Sequence, residues 1–290
     1  MEWAYGITTV PERLSNVFPR TLASLKAGGF DQPRIFVDGA SNSKAYDHFG
    51  LPITTRWPII RTYGNWMLSM AELYIRNPRA DRYALFQDDF VTCRNLRAYL
   101  TQLKYPTKGY FNLYSFPENE ALASPKRFGF HLSNQKGKGA VALVFNREAV
   151  TILLQHHHII AWPQRAKGWA KVDGAIVEAF RRINWKEFVH NPSLVQHTGA
   201  KSSMGSPVHP LSGTFPGEDF DALDFLSPDS VEGFAVDDWQ IELDSLLRAK
   251  EEDAERLRAT TDPAEISKLR RLLSQYESRI RRHHFKKRYL

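Results

Sequence analysis

Cysteine is almost absent from this chain. Cys93 is the only one in 290 residues, which excludes an intramolecular disulfide and a zinc cluster built from the thiolates of one chain. That composition suits a reducing compartment. Long apolar runs are also missing, since nothing approaches about 18 consecutive apolar residues, and the opening Met1–Gly6 has no cationic, apolar leader pattern. The expectation is a soluble, cytoplasmic protein. No GxxxxGK[ST] phosphate loop occurs, so nucleotide binding by that device is excluded. Acidic residues number 32 against 39 basic ones, giving a net charge of +7. Such a surplus favours a polyanionic partner, whether nucleic acid, an anionic membrane surface or a phosphorylated substrate.

What is present is a chain with 42% apolar and 12% aromatic residues, enough for one sizeable core and an appendage. Trp3 to Thr9 and Arg34 to Val37 read as strands, separated by a helical pattern around Leu22, Leu25 and Ala27 that stops at Gly28-Gly29. A helix from Asn65 to Ile75 leads into the strand Tyr83–Phe86, which ends at Gln87-Asp88-Asp89. Further strands are predicted at Tyr110–Phe116 and Ala140–Phe145, the second followed by a helix through Leu153-Leu154. Alternation of this kind predicts an α/β domain with a mainly parallel sheet flanked by helices.

The domain is expected to span residues 1–215. An acidic linker over 216–236 follows, within a stretch, Glu218–Asp244, that holds ten carboxylates and neither Lys nor Arg. Residues 237–290 read as an α-helical hairpin, with Trp239, Leu243, Leu246 and Leu257 on one helix facing Ile266, Leu269, Leu273, Tyr276 and Ile280 on the next. Asp262-Pro263-Ala264-Glu265 marks the second start, with a cap acceptor, a first-turn proline and a glutamate three residues after the cap. The hairpin ends in the basic cluster Arg281–Arg288, suited to phosphate contact or to solvent, and offers a surface for homo-oligomerisation.

Chemistry centres on Gln87-Asp88-Asp89. Two carboxylates after an apolar strand can hold a hard divalent cation that also bridges a diphosphate, although such a pair also caps helices and forms turns. Downstream, Trp169-Ala170-Lys171-Val172-Asp173-Gly174 opens a helix, where Asp173 suits an N-cap. Asn191-Pro192-Ser193-Leu194-Val195-Gln196-His197 then leads into a polar segment ending at Lys201-Ser202-Ser203.

In this order, over about Trp3 to Ser203, the segments resemble the GT-A nucleotide-diphospho-sugar glycosyltransferases. The resemblance implies a Rossmann-like GT-A domain that takes a UDP-sugar as donor. It places base and ribose on the loop of Thr8, Thr9, Val10 and Arg13, with Asp38 near the nucleotide and Arg61 and Asn65 at the nucleotide or diphosphate. Asp89 becomes the principal ligand of Mn²⁺ or Mg²⁺, His197 completes the metal shell, and Asp88 either binds the metal or faces ribose or sugar. Gln87 stands where the family has an acid. Lys201, Ser202 and Ser203 would hold the diphosphate. Imidazole among oxygen ligands favours Mn²⁺ over Mg²⁺. Asp173 would serve as base in an inverting transfer.

The acceptor is open. A hydroxymethylated pyrimidine in phage-type DNA fits the basic charge, and so does a surface polysaccharide or lipopolysaccharide reached from an anionic membrane. A non-catalytic nucleotide- or nucleic-acid-binding module and a nucleotidyltransferase are the other readings. His156-His157-His158 do not converge on one ion from a helix, and Cys93 reads as a small core residue. Lys136 and Lys138 read as a solvated turn.

Overall fold

The computed structural model describes residues 1–123, 128–165, 171–198, 210–226 and 238–289. It divides into two compact units, Met1–Val231 and Glu232–Leu290.

In the first unit, β1 (Trp3–Thr9), β2 (Arg34–Asp38), β3 (Ile53–Arg56) and β4 (Arg82–Phe86) pair in parallel in the order β3-β2-β1-β4. Two helices make these crossovers. In α1 (Val17–Ala27) the Asn16 side chain accepts the Val17 amide at the start and Gly28 stands at the C-cap. In α2 (Arg61–Arg76) Tyr63, Trp66, Met70 and Leu73, spaced three or four apart, are buried, the stripe an amphipathic helix needs to cover a sheet. Beyond β4 the direction alternates. β8 (Ala142–Asn146) is antiparallel to both β4 and β6 (Gly109–Asn112), β9 (Lys186–Asn191) is parallel to β6, and β7 (Gly129–Leu132) closes the edge antiparallel to β9. The expected α/β sheet is therefore present with eight strands, parallel in its first half and mixed in its second. The strand expected over Tyr110–Phe116 stops at Asn112, because the chain leaves the ladder there and the Tyr114 amide bonds back to the Asn112 side chain.

A short separate ribbon matters more for the site. β5 (Phe90–Thr92) pairs antiparallel with β10 (Val195–His197), with His197 opposite Phe90. The remaining helices are α3 (Leu96–Gln102), α4 (Pro117–Glu120), α5 (Arg147–Gln155), α6 (His157–Arg165) and α7 (Val172–Arg182). The core between sheet and helices is aromatic. Tyr110 stacks on Phe145, with ring centroids 5.1 Å apart, and lies as close to Phe180.

The acidic stretch expected as a linker over 216–236 is built into this unit over part of its length. Arg94 donates its amide to Phe220, the Asn95 side chain donates to Asp221 at 2.7 Å, and Phe225 is buried beside Tyr99. Among its described carboxylates, Glu218 pairs with Arg20 and Asp221 accepts the Leu223 amide.

The second unit is a helical hairpin of α8 (Asp238–Ala259) and α9 (Pro263–Tyr289). Lys250–Glu277, Tyr276–Asp253 and Arg256–Glu265 contacts fix an antiparallel pairing. Leu246 and Leu269 are its buried apolar residues among those described. No helix among the described residues is long and apolar enough to cross a membrane.

Candidate functional site

Parallel pairing brings the C-terminal ends of β1, β2 and β4 to one edge of the sheet, and the antiparallel β8 starts from that same edge. Thr9, Asp38, Gln87-Asp88-Asp89 and the segment entering β8 all emerge there, at the mouth where ligands bind in open α/β sheets.

Asp88 and Asp89 are buried, 5% and 3% exposed. Asp88 accepts the Thr9 hydroxyl at 2.6 Å and an Arg13 guanidinium nitrogen at 2.5 Å. The same nitrogen, Nη1, lies 2.7 Å from Asp89 Oδ2. Burial outweighs Arg13 and pushes the Asp88 carboxyl up to about 6, with Asp89 adding to the rise. Burial pulls Arg13 down, but Asp88 and Asp89 together hold it above its ordinary value. Arg13 is delivered by a single 3-10 turn, Pro11–Arg13, that starts after the extended Val10.

Asp89 Oδ1 is different. It is fully buried and accepts no hydrogen bond among the described residues, and it faces Nδ1 of His197 at 3.7 Å, beyond hydrogen-bond range. A buried oxygen without a donor is costly, and an oxygen and an imidazole nitrogen so placed suit a divalent cation. The ribbon is what brings them together, since the Thr198 amide donates to Asp89 O at 2.8 Å. Asp88 is not a third member, because Thr9 and Arg13 take its two oxygens. Among the described residues no group of three or more His, Cys, Asp and Glu is placed to hold a metal, so a cation here would draw its other ligands from substrate and water.

Two threonine-type anchors that sequence reading missed hold the turn. Thr21 on α1 donates to Asp88 O at 2.9 Å and accepts the Phe90 amide at 3.2 Å. One turn later Ser24 accepts the Thr92 amide at 2.8 Å. We expect Thr21→Val to lower unfolding stability by about 1–3 kcal/mol, the cost of stranding two buried backbone groups. Urea denaturation of the variant checks this.

Several expected nucleotide contacts have other duties. Thr8 donates to Phe86 O. Asp38 Oδ1 accepts the Ile60 amide at 2.9 Å and so fixes the start of α2. Asn65, expected at a helix start, lies within α2, which begins four residues earlier after the cap residue Ile60. Its amide accepts from Arg56 at 2.9 Å and donates to Phe36 O, tying β2 and β3 to the helix. Arg61 is exposed at the sheet edge with φ 64°. Gln87 donates to Ala140 O at 2.9 Å, so its side chain holds the segment that enters β8. Lys201, Ser202 and Ser203 lie outside the described residues.

Asp173 stands in the first turn of α7, where Lys171, not Asp173, is the cap residue. Its carboxylate accepts the Gly139 and Gly174 amides, both at 3.0 Å. Burial raises its pKa against these bonds, which lower it. Gly139 precedes the Ala140 that Gln87 holds, so one loop joins Asp173 to the Asp88-Asp89 strand end. Gly137 in that loop has φ +64°, and a Cβ there would lie 2.7 Å from Asp173 O. Gly137→Ala is expected to cost roughly 1–3 kcal/mol from the left-handed backbone alone; a lowered midpoint in thermal unfolding measures it.

Glu187, unremarked in the sequence, is fully enclosed and accepts from Tyr110 at 3.0 Å, Asn112 at 3.1 Å and Ser133 at 2.7 Å. Its pKa is raised by burial despite these donors. Its strand reads Lys-Glu-Phe-Val-His-Asn, so no local apolar pattern set this acid apart in the sequence.

No protein-family model matches the chain, and a search of curated proteins finds no match. Among solved structures it is similar to a Bacillus anthracis protein assigned as a glucose-1-phosphate thymidylyltransferase, in complex with sucrose, at 10% identity and TM-score 0.40, covering 70% of this chain and 92% of that one. It is also similar to CMP:2-keto-3-deoxy-manno-octonic acid synthetase complexed with CTP, at 11% identity and TM-score 0.38, covering 67% and 92%. A third is A197 from STIV, at 10% identity and TM-score 0.35, covering 68% and 85%. Likeness at this level bears on neither substrate nor reaction.

Of the remaining residues, Cys93 is buried and its thiol is pushed up to about 12 by burial, which removes it as a nucleophile. In the histidine run the His158 amide donates to His156 Nδ1, and the two rings lie 6.4 Å apart. Lys138 pairs with Glu118 at 2.5 Å on the surface.

Proposed function

We propose that this chain is a glycosyltransferase that moves a sugar from a UDP-sugar to a hydroxyl acceptor with a divalent cation, Mn²⁺ before Mg²⁺. The observation that carries the reading is the buried pair of Asp89 Oδ1 and His197 Nδ1 beside Asp88 and Arg13, at the strand ends where a nucleotide would lie. Asp89 and His197 would hold the cation, which supplies charge neutralisation for the departing diphosphate. Arg13 offers guanidinium donors at the same place, a geometry suited to phosphate oxygens. The loop Thr8–Arg13 and Arg61 border the nucleotide side, and the segment containing Lys201, Ser202 and Ser203 follows directly after His197.

Asp173 would take the acceptor hydroxyl proton. Its oxygens are held by two amides, which orient the carboxylate, and each oxygen retains a second lone pair for the proton. Burial raises its proton affinity toward the range a general base needs. An inverting displacement follows if the acceptor oxygen attacks opposite the diphosphate.

For the acceptor, the net charge of +7 supports a polyanion, and hydroxymethylated pyrimidine DNA is the favoured one, ahead of a surface saccharide. The test incubates purified protein with Mn²⁺, a panel of UDP-sugars and hydroxymethylcytosine or hydroxymethyluracil DNA, then reads UDP and digested nucleosides by mass spectrometry. A hexose-sized increase on the base supports the reading with its acceptor. UDP release without change in the DNA supports a saccharide acceptor. Pyrophosphate release from a nucleoside triphosphate and a sugar phosphate would replace the reading with nucleotidyl transfer, and failure to bind UDP would leave a non-catalytic module.

A further inference from the structure

Between β7 and β8 the chain makes a short loop, residues 133–140, with a strained backbone. Gln135, Gly137 and Gly139 all have positive φ, at 56°, 64° and 78°, and for Gln135 that is a conformation a side chain seldom adopts. Such a run needs support from outside itself, and Glu187 of β9 supplies much of it.

Glu187 is 2% exposed. Its backbone carbonyl accepts the Ser133 amide at 3.1 Å and the Gln135 side-chain amide at 2.8 Å, and its own amide donates to Gln135 Oε1 at 3.1 Å. Its carboxylate reaches both ends of the loop. At the start, Oε2 accepts the Ser133 hydroxyl. Near the end, Oε1 accepts Asn112 Nδ2, whose other hydrogen goes to Lys138 O, both at 3.1 Å. The next amide along the chain is that of Gly139, which donates to Asp173 Oδ2 at 3.0 Å. The same loop seats Gly137 against the backbone of Asp173 and Gly174, so closely that a Cβ there would lie 2.7 Å from one and 2.8 Å from the other.

Hydrogen-bonding capacity explains why a carboxylate stands at this position. Ser133 Oγ already accepts the Gln135 amide and side chain at 3.0 and 2.9 Å, so both of its lone pairs are filled and its one hydrogen must find an acceptor. Asn112 is fixed in turn, because its Oδ1 accepts the Tyr114 amide. Groups with only hydrogens to offer therefore face both oxygens of Glu187. An apolar residue would avoid the cost of burying a charge, but it would leave these donors stranded and the loop unheld.

We propose that Glu187 is a positioning residue for the transfer: through Asn112 and the 133–140 loop it keeps the Gly139 amide on the Asp173 carboxylate, which aims the base at the acceptor hydroxyl. The proposal rests on the reading of Asp173 as base. Glu187 is enclosed in the sheet and acts only through Asp173.

The test uses Glu187→Gln, which keeps the volume but sets an NH₂ group against either Ser133 or Asn112, donor facing donor. Transfer is read as UDP released from the panel of UDP-sugars with Mn²⁺ and hydroxymethylcytosine DNA. It is expected to slow by roughly 10–10²-fold, the scale of a misplaced catalytic group, while the KM of the donor changes by less than about two-fold. In an Asp173→Asn background the same substitution should cost less than about two-fold more, because residues that act as a unit are not additive. Solvent exchange of the Gly139 amide, followed by NMR, should quicken by about ten-fold or more as its bond to Asp173 opens more often. Ser133→Ala removes one donor from the carboxylate and should give the same signs at smaller size, which keeps the test decisive if the glutamine variant fails to fold. General structural damage would instead raise KM as kcat falls and would add to the loss in Asp173→Asn. That result, or Gly139 exchange at the natural rate, overturns the proposal and leaves the base reading standing. Faster Gly139 exchange with no effect of Asp173→Asn on transfer, or with no transfer to affect, upholds the hold of Glu187 on Asp173 and overturns Asp173 as the base.

Discussion

On the proposed function, Asp89→Asn is expected to lower Mn²⁺-dependent turnover of a UDP-sugar by about 10²–10³-fold, the scale on which loss of one charge-stabilising group acts on a transition state. The substitution keeps shape and volume, so the fold should survive: Asp89 contributes its backbone carbonyl to the Thr198 amide, and that bond is untouched. What is lost is the negative charge of a carboxylate whose Oδ1 has no hydrogen-bond donor among the described residues. Asp88→Asn makes a useful contrast, since its oxygens are committed to Thr9 and Arg13. It should disturb Arg13 more than the cation. Measuring Mn²⁺ affinity and turnover side by side checks the first variant; full turnover with normal Mn²⁺ dependence would remove Asp89 from the cation site.

Asp173→Asn should leave UDP binding within about two-fold and slow transfer by roughly 10²–10⁴-fold, the range for a positioned general base. Binding survives because the Asp173 contacts run to Gly139 and Gly174 amides, away from Arg13 and Asp89. Asn keeps an oxygen for one of those amides. The pH profile gives an independent sign. A base must be deprotonated, so kcat rises with pH through its pKa in the bound enzyme. Burial lifts that pKa above the ordinary 3.8, and the acid limb therefore lies above that value and vanishes in the variant. The same shift has a stability consequence. The folded state holds this proton more tightly than the unfolded chain, so the Asp173 contribution favours folding at low pH and declines as pH rises between the unfolded and the raised folded pKa. A kcat equal to that of the natural protein would assign Asp173 to loop support alone.

Much of the frame was legible because local signals agreed. The strand Trp3–Thr9 is found at the expected residues, and α1 ends where Gly28-Gly29 predicts. The pairing of Asp89 with His197 was legible only through resemblance, since nothing local to either residue reveals the β5–β10 ribbon. Arg13 was expected near the nucleotide, yet its partner Asp88 lies 75 positions away, and spacing carries no trace of such a pair. Asn65 shows the opposite failure. Its residue type suggests a cap, but the Asp38 clamp on Ile60 sets the helix start earlier, which turns Asn65 inward. Direction in the second half of the sheet was hidden for a related reason. Apolar alternation marks a strand and says nothing about which way its neighbour runs.

The β5–β10 ribbon also bears on when the protein becomes competent. Thr92 and Leu194, bonded beside it, are 102 positions apart, whereas β1 and β2 pair across a single helical crossover. Closing so long a loop costs entropy that only later contacts repay, so distant pairings of this kind form late. The strands β1 to β4 can assemble while Asp89 and His197 are still apart. Refolding should therefore show native-like aromatic burial before the capacity to bind Mn²⁺ returns, and a newly made chain would pass through a folded but inactive interval.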